Sequence, residues 1–277
     1  MSSPEGLRYK RVLLKLSGEA LGGQEGSGID VPTVRDFANG IADVARLGAE
    51  IAIVCGGGNI LRGAEFSQLG AERANSDYMG MLATVINALA LCDAIEQAGV
   101  PARVHTALEI QSVAEPFVRK RAINQLKKGH VVLLAAGTGN PYFSTDTAAA
   151  LRANELGCEV LLKATKVDGV YDSDPMVNAD AKKLERLSYM DVLSQGLRVM
   201  DGTAITLCME NKLPILVFDL FGEGNLERAV RGEELGSLIG GSELTRRPRA
   251  RRRKSDELRP DLERRARADG QGPEAPL

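Results

Sequence analysis

The chain of 277 residues has no tryptophan, only two histidines and four cysteines, and aromatic residues make up 4% of it. The cysteines lie far apart without a C-x-x-C pair, which excludes a zinc-ribbon type of site and favours buried, reduced thiols. No apolar run approaches the roughly 18 uncharged residues of a membrane span, and the N-terminus has no apolar signal segment. We therefore expect a cytoplasmic protein without a membrane segment.

Two common nucleotide-binding fingerprints are also absent. The pattern G-x-x-x-x-G-K-[ST] does not occur, which excludes a P-loop enzyme. The pattern G-x-G-x-x-G fails as well, because Gly56-Gly57-Gly58 continues to Leu61 and Gly137-Thr138-Gly139 continues to Tyr142. A dinucleotide-binding fold is therefore not supported.

Strand-like and helix-like patterns alternate along most of the chain. Strands are predicted over residues 11–16, 50–55, 102–106, 131–136, 159–164 and 215–219, with a closing edge strand over 237–239. Helices are predicted over 31–47, 76–98, 116–128 and 201–211, and from residue 144 onward. Asp168-Gly169 has the signature of a tight hairpin turn. Such alternation predicts an α/β three-layer sandwich, with a central, mostly parallel sheet and helices on both faces.

Three predicted strands end in small or glycine-rich turns, after Leu16, Cys55 and Ala136. The carboxyl ends of parallel strands share one edge, and ligands of such sheets bind there. Backbone N–H groups at tight turns and helix starts suit an anionic phosphate. The sequence therefore predicts that more than one phosphate group binds at this edge.

Charged residues near these strand ends are candidates for phosphoryl-transfer chemistry, which needs cations against developing charge. Lys15 interrupts an apolar strand, and a phosphate contact explains it better than a lysine that reaches solvent from a sheet edge. Lys163 repeats the pattern. Arg62 is placed for a bidentate phosphate contact, with an ordinary surface arginine as the alternative. Asp146 lies at a helix start, where Ser144, Thr145 or Asp146 itself could be the N-cap.

The net charge of −2 conceals a basic C-terminus. Residues 245–277 contain 11 Lys/Arg and 6 Asp/Glu, and the run Arg251–Lys254 is wholly basic. With so few apolar residues, we expect 245–277 to be a disordered charged tail. Nucleic-acid or polyphosphate binding is the alternative to a solvated appendage, and we favour the appendage. Residues 1–8 are expected to be a flexible N-terminus, and 9–244 a single catalytic domain.

Six motifs stand in an order that resembles the bacterial uridylate (UMP) kinases, which have the amino-acid-kinase fold. They are KLSGEAL (15–21), GGGN (56–59), RG (62–63), DYMGMLAT (77–84), AGTGNPYFSTD (136–146) and LKATKVDGVY (162–171). GGGN alone occurs across the superfamily, whereas DYMGMLAT together with GTGNPYFSTD points to the uridylate branch. The resemblance implies the reaction of ATP with UMP to give UDP in pyrimidine nucleotide biosynthesis.

The resemblance also implies roles for individual residues. Lys15, Asp146 and Lys163 would be catalytic. ATP would meet Lys15, Leu16, Ser17, Gly18, Gly58, Arg62, Thr165, Tyr171 and Asp174. UMP would meet Gly57, Asp77, Thr138, Gly139, Asn140, Pro141, Tyr142, Phe143, Ser144 and Thr145. Asp77 would accept hydrogen bonds from the ribose hydroxyls.

Similar enzymes are homohexamers that GTP activates and UTP inhibits. The GTP response is associated with the loop Gly23, Gln24, Glu25, Gly26, Ser27 and Gly28, for which a flexible surface loop is the alternative. Mg²⁺ would be held mainly by ATP oxygens and water, so no metal site made of protein ligands is expected. Two other functions remain open: an amino-acid or carbamate kinase, and a non-catalytic nucleotide sensor or storage protein on the same fold.

Overall fold

The structure is a computed structural model that describes residues 6–61, 70–173, 175, 177–178, 180–197 and 199–241. Arg62, Asp174 and the tail 245–277 lie outside the described residues, as do the first five residues of the predicted flexible N-terminus. The predicted domain limits therefore remain predictions.

A mostly parallel sheet forms the centre of the described part of the chain. Its strands are β1 (Arg11–Leu16), β2 (Glu50–Cys55), β3 (Ala102–Thr106), β4 (Glu115–Pro116), β5 (Val131–Ala135), β6 (Val160–Thr165), β9 (Arg186–Ser188), β10 (Ile215–Asp219) and β11 (Ser237–Gly240). Their order is β4-β3-β5-β2-β1-β6-β10-β11-β9, and the β10–β11 pair is antiparallel. A separate antiparallel pair joins β7 (Val170–Tyr171) to β8 (Lys183–Leu184).

Helices connect these strands. They are α1 (Gly18–Leu21), α2 (Val31–Arg46), α3 (Arg73–Gln97), α4 (Arg119–Lys127), α5 (Thr145–Leu156), α6 (Tyr189–Ser194), α7 (Gly202–Glu210) and α8 (Asn225–Arg231). Apolar side chains from the two sheet faces form two separate buried clusters, one with Leu14 and Ile53 and the other with Leu13 and Val54. Successive residues of a strand point to opposite faces, so helices cover both sides of the sheet. The predicted three-layer α/β architecture is confirmed.

Three local predictions were wrong. Pro116 belongs to the short strand β4, and helix α4 begins only at Arg119. β11 lies between β10 and β9 rather than at the sheet edge. Asp168-Gly169 does not close a tight hairpin, because β7 pairs with Lys183–Leu184, more than ten residues further along the chain. In each case the deciding partner is a strand of two or three residues, too short to leave an alternating pattern.

Helix α3 has the length and apolar composition of a membrane-spanning helix, which corrects the expectation that no segment would. Its residues Val85, Leu91 and Ile95 are buried in the core cluster that covers β2 and β5. A helix that packs on the core of a protein without a membrane span can have the same length and apolar composition.

Candidate active site

Two lysines and one aspartate meet at the carboxyl edge of the sheet. Lys15 on β1 and Lys163 on β6 occupy neighbouring positions in the parallel register. Asp146, in the first turn of α5, lies between them: its Oδ1 is 2.8 Å from Lys15 Nζ, and its Oδ2 is 3.0 Å from Lys163 Nζ. The side chains are 12%, 13% and 17% exposed for Lys15, Lys163 and Asp146. The catalytic residues predicted from separate motifs therefore form one cluster.

Burial and charge oppose each other in this cluster. Burial raises the pKa of Asp146, but the two ammonium groups outweigh it and leave the pKa of the carboxyl below its ordinary value. Burial lowers the pKa of Lys163, and Lys15 lowers it further against the opposing effect of Asp146. The Lys163 ammonium also donates to the carbonyl oxygen of Val199. The cluster sets two basic side chains against one carboxyl group, and this excess of basic groups suits an anion.

Asp146 could cap helix α5 or hold the two lysines, and the structure decides between these two roles. Ser144 is the N-cap of α5, and its hydroxyl accepts a hydrogen bond of 3.0 Å from the amide of Thr147. In the described residues, the Lys15 contact of Asp146 Oδ1 is an ion pair without regular hydrogen-bond geometry. Asp146 therefore holds the lysines and does not cap the helix.

Asp201 supports the start of α5 and was not predicted as part of the site. It caps α7 by accepting from the amide of Ala204 at 3.0 Å. The same carboxylate accepts hydrogen bonds from the hydroxyls of Ser144 and Thr147. The predicted residue Ser144 is thus fixed by a second helix, and the sequence signal was only an ordinary helix cap.

The turn at Ser17-Gly18 and the turn at Gly56–Gly58 pack closely against each other. Gly56 N donates to the carbonyl oxygen of Leu16 at 2.9 Å. A Cβ atom on Gly18 would lie 2.6 Å from Asn59 Oδ1 and 2.7 Å from Gly58 N, so this position has no room for a side chain. The space in front of Gly58 is open. The backbone that the sequence predicts to meet phosphates is therefore packed tightly behind and open in front.

A buried pair of asparagines fixes the turn at Gly56. Asn87 on α3 donates to Gly56 O at 2.7 Å and exchanges hydrogen bonds of 2.7 and 3.0 Å with Asn59. Asn59 also donates to Gly28 O at 2.6 Å, while Gly28 N donates to Asn59 O at 2.8 Å. The end of the predicted GTP loop Gly23–Gly28 is thereby bonded to the phosphate turn, the glycine turn Gly56–Asn59 that is predicted to meet the ATP phosphates. Asn87 was missed, although a polar residue inside the apolar run VINALAL was a usable signal.

The predicted substrate loop, residues 138–145, lies against the N-terminal half of α3. Tyr142 N donates to Asp77 Oδ2 at 2.7 Å. Thr84 Oγ1 accepts from the amide of Ala136 at 2.8 Å, which fixes the end of β5. A Cβ on Gly57 would lie 2.8 Å from Ala83 Cβ, so the glycine turn also contacts this helix closely. Gly57, Asp77 and Tyr142, three of the residues predicted to bind UMP, thus meet at helix α3.

A cavity of about 270 Å³ adjoins the lysine cluster and is bordered by Lys15, Ser17, Lys163 and Thr165. Tyr171 lies near Thr165 in sequence, and its hydroxyl donates to Asp168 Oδ1 at 2.7 Å. Arg62 and Asp174, the remaining residues predicted to bind ATP, lie outside the described residues.

The family model named amino acid kinase family matches residues 10–219, and the chain belongs to this family.

Within that class, the chain is similar to solved UMP kinases. One from Bacillus anthracis shares 39% identity, with a TM-score of 0.82, over 84% of this chain and 97% of that one. One from Ureaplasma parvum shares 35% identity, with a TM-score of 0.79, over 84% and 100% of the two chains. The uridylate kinase of Archaeoglobus fulgidus shares 30% identity, with a TM-score of 0.61, over 83% and 99%.

Proposed function

We propose that the protein transfers the γ-phosphoryl group of ATP to UMP and releases ADP and UDP. The observation that carries the proposal is the cluster of Lys15, Lys163 and Asp146 at the sheet edge where the two glycine turns meet. Similarity to three UMP kinases at 30–39% identity supports uridylate as the acceptor.

The lysine cluster supplies what phosphoryl transfer requires of a protein. Negative charge on the oxygens of the transferring group is neutralised by fixed cations, and positioning does most of the rest. Asp146 keeps the two ammonium groups close together before any phosphate binds. When phosphate oxygens arrive, the lysines need little movement, because the carboxylate has already offset their mutual repulsion.

We assign the ATP phosphates to the Lys15–Gly18 and Gly58 turns, and the ATP nucleoside to the region of Thr165 and Tyr171. The cavity that borders Lys15, Ser17 and Thr165 supports this placement of the phosphates next to the nucleoside. Arg62 and Asp174 complete the predicted set.

We assign UMP to Gly57, Asp77 and the loop 138–145. An ionised carboxylate offers about four acceptor positions, so Asp77 can accept from two ribose hydroxyls while it also holds the amide of Tyr142. Thr138 and Asn140 of the same loop carry hydroxyl and amide groups, which suit the polar edge of a pyrimidine.

Mg²⁺ is expected to arrive with ATP. No group of three or more His, Cys, Asp or Glu side chains forms a metal site in the described part of the chain. Asp146 lies between the two lysines at the carboxyl edge of the sheet, and its oxygens suit a contact with hydrated Mg²⁺, a cation that keeps several waters. The ion would neutralise phosphate charge alongside the lysines.

We further propose a cytoplasmic homohexamer that responds to GTP and UTP. Helix α3 exposes an apolar stripe of Tyr78, Met79, Leu82, Ile86 and Leu89, which fits burial against a second copy. The Gly28–Asn59 contact offers a route from the loop Gly23–Gly28 to the phosphate turn. All four cysteines, which lie in the described residues, are free thiols, and this suits a reducing compartment.

An ADP-release assay tests the proposal, with ATP, Mg²⁺ and each of UMP, CMP, dTMP, AMP, glutamate and carbamate in turn. Turnover with UMP well above the other acceptors is the expected result. Turnover with glutamate or carbamate would move the protein to another branch of the family. ATP binding without turnover on any acceptor would favour a nucleotide sensor or storage protein.

A further inference from the structure

The carboxylate of Asp77 already has two partners before any substrate is bound. Arg73 Nε lies 2.9 Å from Oδ1 and 3.0 Å from Oδ2, one helical turn earlier on α3. Tyr142 N donates to Oδ2 at 2.7 Å from a loop 65 residues further along the chain. Asp77 therefore joins helix α3 to the substrate loop, and Arg73 holds the carboxylate that makes the joint.

Tyr142 has an unusual backbone that this joint accounts for. Its φ is +71°, a left-handed conformation that bulky residues rarely adopt. Tyr142 as a whole is 70% exposed, so burial in the core does not hold it in place. The Arg73 guanidinium carbon lies 5.7 Å from the centre of the ring, within cation–π distance. Arg73 thus contacts both Asp77 and Tyr142, the two residues that this hydrogen bond joins.

The position of Arg73 is unfavourable for the helix alone. It is the first residue of α3, a helix of 25 residues, and the positive end of a helix dipole repels a cation there. Its side chain is 53% exposed, and it has no apolar packing role in the core. A contact with the substrate loop explains an arginine at this place better than helix stability does.

We propose that Arg73 is a positioning residue for the acceptor nucleotide, because it keeps the Asp77 carboxylate in contact with the Tyr142 amide. This inference rests on the proposed function, in which Asp77 receives the ribose. Without Arg73, Asp77 is free to rotate and Tyr142 loses both its ring contact and a firmly held acceptor for its amide. Loosening the loop weakens binding of the acceptor nucleotide, while the lysine cluster stays intact.

The kinetic test compares Arg73→Ala and Arg73→Lys with the wild type. For Arg73→Ala we expect KM for UMP to rise on the order of tenfold, because a half-exposed charged hydrogen bond is lost. KM for ATP should change less than twofold, and kcat at saturating UMP should be retained. Arg73→Lys should recover part of the UMP affinity, because a lysine keeps the charge but not the planar guanidinium over the ring. An unchanged KM for UMP, or equal losses for both substrates and kcat, would overturn the proposal.

Hydrogen exchange of the full-length protein without nucleotide tests the joint itself. In Arg73→Ala, the peptide that contains the Tyr142 amide should exchange faster than in the wild type. Arg231→Ala is the matched control, because it removes another Arg–carboxylate pair at i,i+4, with Glu227 on α8, and should leave this peptide unchanged. Equal exchange in Arg73→Ala and wild type would overturn the joint.

The two tests separate the inference from the proposed function. If the wild type fails to phosphorylate UMP, the proposed function is lost, and the exchange experiment alone still decides whether Arg73 holds the loop. If UMP is phosphorylated but exchange at Tyr142 does not depend on Arg73, only the inference is lost.

Discussion

Replacing Asp146 with asparagine tests the lysine cluster most sharply. The change keeps the shape of the side chain but removes the one negative charge between Lys15 and Lys163, which lie 2.8 and 3.0 Å from it. Removing one partner of a buried ion pair costs about 3–5 kcal/mol. The asparagine oxygen still accepts one lysine hydrogen bond, so we expect the lower end, about 3 kcal/mol of unfolding free energy.

Catalysis should suffer more than binding. With the lysines no longer held, we expect kcat to fall about 10²-fold, as for a misplaced catalytic group. ATP affinity should stay within a few-fold, because the phosphates replace the missing negative charge. Because stabilisation by a ligand depends on its affinity, saturating ATP should raise the melting temperature of Asp146→Asn about as much as that of the wild type.

The pH dependence of stability follows from the lowered pKa of Asp146. The stabilisation is complete above the ordinary aspartate pKa of about 3.9 and is lost as pH falls through the lower pKa of the folded state. The stability gap between wild type and Asp146→Asn should therefore be constant from about pH 6 to 8 and close only in acid. Thermal melts across pH, with isothermal titration of ATP and steady-state kinetics, measure all three quantities. Equal losses of ATP affinity and kcat would show that Asp146 does not hold the lysines for catalysis, and a stability gap that widens in acid would contradict its charged role.

Three further predictions follow from the same geometry. Burial lowers the pKa of Lys163. As the pH rises, kcat/KM for ATP should therefore begin to fall before the ordinary lysine pKa of about 10.4 is reached. Lys163→Arg, which stays charged, should remove that limb even if its rate is lower, and an unchanged profile would count against a charged Lys163. Asn87→Leu leaves Gly56 O without its buried donor. Chemical unfolding should show a loss of stability of about 1–3 kcal/mol, and KM for ATP should rise more than KM for UMP. A larger rise of KM for UMP would contradict this assignment. Leu82→Asp on the α3 stripe should reduce the assembled mass in analytical ultracentrifugation, whereas an unchanged mass would place the interface elsewhere.

The sequence located the strands of the sheet centre well, for a physical reason. β1, β2, β3 and β10 begin and end where they were predicted. β2 and β10 are buried on both faces and are mostly apolar runs, whereas β3 includes the exposed Arg103. The short strands β4, β8 and β9 leave no such run. Their pairing depends on distant residues, so the place of β11 inside the sheet could not be deduced locally.

The same distinction applies to the site. Lys15, Lys163 and Asp146 were predictable because a charge in an apolar strand, or beside a glycine turn, requires a partner. Their meeting in one ion-pair cluster was not, since it depends on the register of β1 with β6. Arg73 and Asp201 act through long-range contacts with residues 142 and 144, and their local surroundings resemble an ordinary surface and an ordinary helix cap.

The central claim is that this edge of the sheet transfers a phosphoryl group from ATP to UMP. Incubation with ATP labelled at the γ-phosphate, Mg²⁺ and UMP, followed by separation of the nucleotides, measures that transfer directly. We expect label in UDP in equal amount to the ADP formed, and about 10²-fold slower transfer by Asp146→Asn. Release of ADP with the label in inorganic phosphate, and none in UDP, would contradict it.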